Sequence, residues 1–126
     1  MMRIFFLFTF SVTFFSCNSS RLQPTAEEMQ KIRFDLSQLD ENGLLGPENG
    51  KVALDYEFCI PQKGQYRQEV ERIDPSLKIQ TAKGRIGCSR DQYLCLGNTH
   101  QKNYKEVLYR LARLSYIERI ERTFFE

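Results

Sequence analysis

The sequence has little histidine, no tryptophan and no large excess of charge of either sign. It contains no tryptophan, one histidine and four cysteines among 126 residues, and its net charge is only +2. Basic and acidic residues are interleaved along the chain, so it has no basic block of the kind that binds nucleic acid. The cysteines include no Cys-x-x-Cys pair, a common spacing of zinc ligands. We therefore predict no nucleic-acid partner, no metal and no other cofactor.

The N-terminus has the pattern of an export signal. Met1–Arg3 carries one positive charge, the segment 4–15 is almost entirely apolar, and small or polar residues follow from Ser16. The apolar run is shorter than the roughly 20 residues that span a bilayer, which favours a removable signal over a permanent transmembrane helix. About 110 residues would remain after removal, enough for one domain with a modest core.

Ser16 stands directly before Cys17 at the end of the apolar run. This junction resembles the lipobox of bacterial lipoproteins. The resemblance implies cleavage before Cys17, diacylglycerol on its sulfur, and a membrane partner held through the N-terminal lipid. We therefore expect a signal peptide at 1–16 and, at 17–24, a lipidated cysteine with a polar, flexible tether. The alternatives are an ordinary signal peptide with a soluble secreted or periplasmic protein, and an N-terminus that is buried or serves as an anchor.

The segment 25–43 is expected to form an N-terminal amphipathic helix. Thr25 and Glu28 have the spacing of a capping box, which satisfies backbone amides in the first helical turn. An apolar stripe then recurs at helical spacing at Met29, Ile32, Leu36 and Leu39. The segment ends in polar residues and Gly43. We expect this helix to cover one face of a sheet in the following domain.

The segment 51–126 is expected to form one α+β domain. Alternating and helical apolar patterns predict strands at 52–60, 77–81, 92–97 and 116–125 and helices at 62–74 and 100–115. This order predicts a ferredoxin-like βαββαβ sandwich, with two helices on one face of a four-stranded antiparallel sheet. We expect Leu94 and Leu96 to face the helices, and Cys95 to lie on the opposite face with Asp55 and Glu57.

Three cysteines besides Cys17 are expected to gather at one end of this sheet. Cys59 ends the first strand, Cys88 lies in the connection that follows the second, and Cys95 lies in the third. In an exported protein we expect one disulfide among them. Three pairings are open, and the sequence does not choose among them. We favour Cys59–Cys88, because this bridge would fasten a glycine-containing connection to the sheet.

The spacing of the candidate residues disfavours a zinc site and a catalytic site. Zinc would need the cysteines together with His100, but His100 lies about 16 Å from Cys95 along the predicted strand, so one ion cannot hold both. A nucleophilic cysteine with a histidine base meets the same obstacle. Asp55 and Glu57 share a strand face, where pairing with arginine is more common than acid–base catalysis. We predict no catalytic residue.

The domain also resembles short exported bacterial proteins of unassigned function. The resemblance rests on the motifs at 56–61 (YEFCIP), 84–88 (GRIGC) and 95–101 (CLGNTHQ), and it implies no particular activity. The expected function is that of a small lipid-anchored cell-envelope protein that binds or scaffolds, with a protein or peptidoglycan partner. The alternatives are a thiol-dependent redox protein or enzyme that uses Cys88 or Cys95, and a zinc-binding domain.

Overall fold

A computed structural model of the chain describes residues 11–13 and 23–124. The expected signal peptide, apart from 11–13, and the lipidation site Cys17 lie outside the described residues. Within these ranges, no helix is both long enough and apolar enough to cross a membrane.

The chain has a mixed α+β architecture, as predicted from the sequence. The elements in chain order are α1 Ala26–Met29, a 3-10 turn Leu36–Gln38, β1 Leu44–Leu45, β2 Val52–Ala53, β3 Asp55–Pro61, α2 Gly64–Ile73, β4 Lys78–Gln80, β5 Gln92–Asn98, α3 Tyr104–Ala112 and β6 Glu121–Arg122. Strands β3–β6 form a four-stranded antiparallel sheet in the order β4-β5-β3-β6, and β1 pairs with β2 in a separate two-stranded sheet.

The main core lies between the helices and one face of the sheet. Phe58 of β3 and Cys95 of β5 are direct partners across the sheet, and both side chains are fully buried. Val70 of α2 and Leu108 of α3 belong to the same buried cluster. The apolar stripes of both helices therefore cover this face of the sheet, which is the pattern that their spacing predicted.

The expected orientation of β5 is wrong. Directly opposite residues of an antiparallel pair share a face, and the register pairs Phe58 with Cys95 and Cys59 with Leu94. Cys95 therefore faces the helices, while Leu94 faces away from them. The sequence predicted the reverse because Leu94 and Leu96 are more apolar than Tyr93 and Cys95, with which they alternate. The face opposite the helices has a small core of its own, which buries Leu94.

The N-terminal helix is much shorter than the stripe in its sequence indicates. It ends at Met29, and the chain then pairs with the segment before β6 through a parallel bridge between Ile32 and Ile120. Arg33 N donates to Ile120 O (2.9 Å), and Ile120 N donates to Lys31 O (2.7 Å). The backbone thus satisfies its hydrogen bonds through the sheet edge instead of through further helical turns.

Thr99 fixes the end of this N-terminal arm to the sheet. Its hydroxyl donates to Gly43 O (2.6 Å) and accepts from Leu54 N (2.9 Å). Gly43 has a φ of 76°, and a Cβ atom there would lie 1.8 Å from Thr99 O. Ile32 and Leu39 of the arm belong to the main buried cluster. The arm therefore packs on the helix side of the sheet, not on the opposite face as expected.

The last two elements are also shorter than predicted. The helix expected at 100–115 begins at Tyr104, and the strand expected at 116–125 is reduced to β6. Ile117 N donates to Leu114 O (3.2 Å), so the chain turns after α3 before it reaches the sheet. Ile117 and Ile120 are fully buried. Their burial accounts for the apolar pattern that suggested a longer strand.

Candidate functional site

A disulfide fastens the β4–β5 connection to the sheet. Cys59 of β3 and Cys88 of the connection are bonded, with sulfurs 2.03 Å apart and Cα atoms 5.6 Å apart. This is the favoured pairing of the three that the sequence left open. The bond closes a sequence separation of 29 residues, and a loop of that length contributes about 3–4 kcal/mol in the chain-entropy account. We call the segment 82–91 the disulfide loop.

Glu57 and Arg119 each form a hydrogen bond with the backbone of Ile86 in this loop. Ile86 N donates to Glu57 Oε1 (2.6 Å), and Arg119 Nη2 donates to Ile86 O (2.6 Å). Glu57 is only 3% exposed, while Arg119 also pairs with Glu121 at 3.4 Å. Charged groups make stronger hydrogen bonds than neutral ones, so these two contacts hold the centre of the loop in addition to its disulfide.

The loop reaches the sheet closely because Gly84 has no side chain. Gly84 has a φ of 64°, and a Cβ atom there would lie 2.8 Å from Leu94 Cδ1 and 3.3 Å from Glu57 Oε2. Beneath the loop, Ile86, Cys88 and Leu94 form the second buried cluster. The sheet face opposite the helices is thus covered at one end by the loop, where we had expected the N-terminal helix.

Short local hydrogen bonds close the C-terminal end of the loop. Ser89 N donates to Gln92 Oε1 (2.9 Å), and the Ser89 hydroxyl donates to the Asp91 carboxylate. This hydroxyl contact lowers the pKa of Asp91, because it stabilises the ionised carboxylate. The loop is therefore ordered along its length by contacts within itself and to the sheet.

The cavity beside the loop is too small for a catalytic pocket. Its volume is about 60 Å³, whereas small-molecule sites usually enclose about 300–1,000 Å³. It is lined by Cys59, Ile86, Gly87, Gln92, Glu118 and Arg119. A cavity of this size has room for ordered water but not for an organic substrate.

Beyond the loop, the same face of the sheet is open. A shallow concavity of about 380 Å³ lies over it, and we call this surface the open face. Asn98 Nδ2 donates to Asp55 Oδ1 (2.8 Å), so the Asp55 carboxylate pairs with an amide. The lining residues are Asp55, Ser76, Lys78, Leu96, Gly97 and Asn98. Leu96 is half-buried within a polar surround.

Asp55 and Glu57 share this side of the sheet, as their spacing predicted, but their surroundings differ. Asp55 is bonded to Asn98 at the open face, while Glu57 is buried under the loop and accepts the amide of Ile86. The expected pairing with arginine is not seen for Glu57 or Asp55 in the contacts described here, since Arg119, the arginine beside the loop, bonds to Ile86 O and Glu121. The two carboxylates therefore have structural partners rather than a shared substrate position.

Cys95 is enclosed in the main core. Its side chain is fully buried, and the thiol is free. Burial raises its pKa to about 12, so almost no thiolate forms at neutral pH. Cys88 is held in the disulfide, and His100 is exposed beyond the end of β5. Among residues 11–13 and 23–124, no group of three or more histidine, cysteine or acidic side chains is arranged to hold a metal ion.

Sequence reasoning missed Ile86 and the roles of Glu57 and Arg119 around it. Ile86 stood between two glycines near a cysteine, which indicated a turn but not an apolar residue covering a buried carboxylate. The contact between Arg119 and Ile86 joins residues 33 positions apart, so no local pattern signals it. No family model matches the chain, and no curated protein or solved structure is significantly similar to it.

Proposed function

We propose that the chain is a small lipid-anchored cell-envelope protein that binds a protein partner through its open face. The observation that carries this proposal is the combination of a firmly held disulfide loop with the adjoining open, mixed polar and apolar surface. A preorganised surface loses little conformational entropy when a partner binds. Such a surface suits recognition of another macromolecule better than it suits chemistry on a small substrate.

The lipid anchor rests on the sequence of the N-terminus. The Ser16–Cys17 junction at the end of an apolar run supports lipidation of Cys17, and the polar residues that follow support a tether. A disulfide within the domain is consistent with an oxidising compartment outside the cytoplasm.

The thiol-dependent alternative receives no support from the geometry. Cys88 is bonded to Cys59, and Cys95 is buried with a raised pKa. Reactive cysteines are instead partly exposed and close to positive charge, which lowers their pKa. The proposal of a binding protein is therefore kept without an enzymatic counterpart.

The ferredoxin-like assignment belongs to the same proposal. Counted along the chain, β3, β4, β5 and β6 are the first, second, third and fourth strands of this sheet. Their order across the sheet, starting from the β6 edge, is fourth, first, third, second. All three strand pairs are antiparallel, and α2 and α3 follow β3 and β5. An experimental structure with right-handed crossovers through both helices would test this assignment.

A pull-down from envelope fractions tests the binding face. Leu96→Arg places a charge in the centre of the open face, and Gln68→Arg places the same charge on exposed α2 as the matched control. We expect a retained partner protein with wild type and Gln68→Arg, and at least about tenfold less with Leu96→Arg. Equal retention by both variants would reject the open face. Binding to purified peptidoglycan alone would reject the protein partner.

A further inference from the structure

A second polar groove lies between α2 and α3, on the helix side of the sheet and so away from the open face. Its volume is about 350 Å³. It is lined by Glu69, Arg72, Ile73, Arg110, Arg113 and Leu114. Three arginines therefore meet around one opening, with a single carboxylate among them.

The positive charge of this groove is not neutralised. Among residues 23–124, none of Arg72, Arg110 and Arg113 forms an ion pair. Arg72 Nε donates to Gln68 O (3.3 Å), a neutral acceptor. The carboxylate of Glu69 accepts the Tyr116 hydroxyl (2.6 Å), so it is oriented by tyrosine rather than by an arginine. The groove keeps a net positive charge.

Arg113 supplies a second, independent observation. Its Nε is enclosed by protein and has no hydrogen-bond acceptor among the described residues. An enclosed, unsatisfied donor on a charged group is rare in folded proteins. Arg113 as a whole is only half-buried, so an anion in the groove would pair with the accessible part of its guanidinium and not with the enclosed Nε.

We propose that the α2–α3 groove is a binding site for the phosphate of an anionic phospholipid headgroup. Arginine suits this ligand because its planar guanidinium donates paired hydrogen bonds to phosphate oxygens. Arg110 and Arg72 are exposed and can approach a headgroup from either helix, with Arg113 between them and the protein interior.

The N-terminal arm gives the reason for a lipid rather than a soluble phosphate. Lys31 Nζ donates to Leu114 O (3.0 Å), and Leu114 lines the groove. The arm thus joins the domain at the edge of the groove, and α1 packs against α3. The chain from Cys17 to Thr25 reaches at most roughly 28 Å. The choice of lipid rests on the proposed anchor, and the phosphate site itself does not.

In this arrangement the groove orients the domain on the membrane. The helices lie against the headgroups, and the open face on the other side of the sheet points away from the bilayer. A partner in the surrounding compartment could then reach the open face while the domain remains tethered.

Vesicle binding by the full-length chain carrying Cys17→Ala tests the site without the lipid. Partition is measured at 0.15 M salt into vesicles of phosphatidylglycerol and, separately, of phosphatidylcholine, so that insertion of the apolar N-terminus is common to both. We expect a preference for phosphatidylglycerol that falls at least about tenfold in the variant Arg72→Gln, Arg110→Gln, Arg113→Gln, because each basic residue near an anionic surface contributes about fivefold.

A charge-matched control separates the groove from general electrostatic attraction. Lys63→Gln, Lys83→Gln, Arg90→Gln removes three exposed positive charges outside the groove and outside the lining of the open face and should keep the preference. Equal losses in both triple variants, or no preference in the parent chain, would overturn the proposal.

The resonance of the Arg113 Nε–H in NMR spectra distinguishes the two sources of phosphate. We expect it to shift with short-chain phosphatidylglycerol. A shift with glycerol 3-phosphate, without any vesicle preference, would assign the site to a soluble phosphate ester and overturn the lipid assignment. If wild-type protein, which carries Cys17, were released from membranes, the proposed lipid anchor would be wrong. The vesicle assay with Cys17→Ala does not depend on that anchor, so it would still test the phosphate site.

Discussion

Tyr56 and Gly97 are partners across strands β3 and β5, and the tyrosine ring occupies the space that a side chain at Gly97 would need. A Cβ atom on Gly97 would lie 2.4 Å from two ring carbons. Tyr56 is 1% exposed, and its ring stacks against Phe34 of the N-terminal arm at 6.2 Å between centroids. Because Gly97 has no side chain, the Tyr56 ring can lie over β5 while it packs in the main core and against the N-terminal arm.

Gly97→Ala is expected to destabilise the domain by about 1–3 kcal/mol, because the buried ring must move to admit the methyl group. Urea unfolding measures the change. Gly64→Ala is the matched control, since a Cβ atom there meets nothing within 4 Å and alanine favours the helix. A Gly97→Ala variant as stable as Gly64→Ala would mean that Tyr56 does not lie against Gly97.

Glu57→Ala is expected to loosen the disulfide loop. The amide of Ile86 would lose its acceptor in a buried position, at a cost of about 1–3 kcal/mol. Hydrogen exchange at the Ile86 amide should become faster while the Cys59–Cys88 bond remains intact. Glu118→Ala removes an exposed carboxylate at the same cavity and should change stability by less than about 0.5 kcal/mol. Unchanged exchange at Ile86 in Glu57→Ala would reject this contact.

Alkylation of Cys95 should depend on pH in a way that reports its burial. With a pKa of about 12 instead of the ordinary 9.0, native protein at pH 8 should contain about a thousandfold less thiolate at this position than unfolded protein. Because the side chain is fully buried, the reagent reaches it only when the core opens, so native labelling at pH 8 should be far slower than labelling in denaturant. Rapid native labelling at pH 8 would revive the thiol-dependent alternative.

The raised pKa of Cys95 also predicts how the free energy of unfolding changes with pH. The native state holds the Cys95 proton more tightly than the unfolded state, so this stabilisation is fully present below pH 9 and is lost as pH rises towards 12. Burial shifts the pKa of Tyr56 in the same direction. The free energy of unfolding should accordingly fall above pH 9. A constant value between pH 8 and 11 would contradict the burial of these groups.

Cys17→Ala is expected to abolish labelling by radioactive fatty acid and to reduce, without abolishing, retention of the domain in the membrane fraction. The reason is that the lipid anchor proposed here would be attached to the sulfur of Cys17, at the Ser16–Cys17 junction. Cell fractionation with immunodetection measures the distribution. Cys95→Ala serves as the control, because it removes a cysteine elsewhere and should leave labelling unchanged. Labelling that persists in Cys17→Ala would reject lipidation at this position.

Much of the element order was predictable because it depends on local pattern. Strand β3, helix α2 and strand β5 follow the apolar spacing closely, and the end of β3 at Pro61 coincides with a residue that cannot continue a sheet ladder. The Cys59–Cys88 pairing was favoured because it fastens the glycine-containing connection to the sheet, and this is the bond in the structure.

The remaining features depend on distant contacts that no local pattern records. Helix α1 stops because Ile32 pairs with Ile120, and β5 turns Leu94 away from the helices because Ile86 provides a second apolar cover. The capping box at Thr25 is present, so the start of the helix was predictable while its end was not. For the candidate site, the sequence indicated the loop but not the hydrogen bonds from Ile86 N to Glu57 and from Arg119 to Ile86 O.

Photo-crosslinking in cells tests the open face most directly. A photoreactive amino acid replaces Leu96 in the open face or, in the control, Gln68 on α2. The account predicts a discrete adduct with one envelope protein from position 96 and none with that protein from position 68. Absence of any adduct from position 96, or the same adducts from both positions, would contradict a partner bound at the open face.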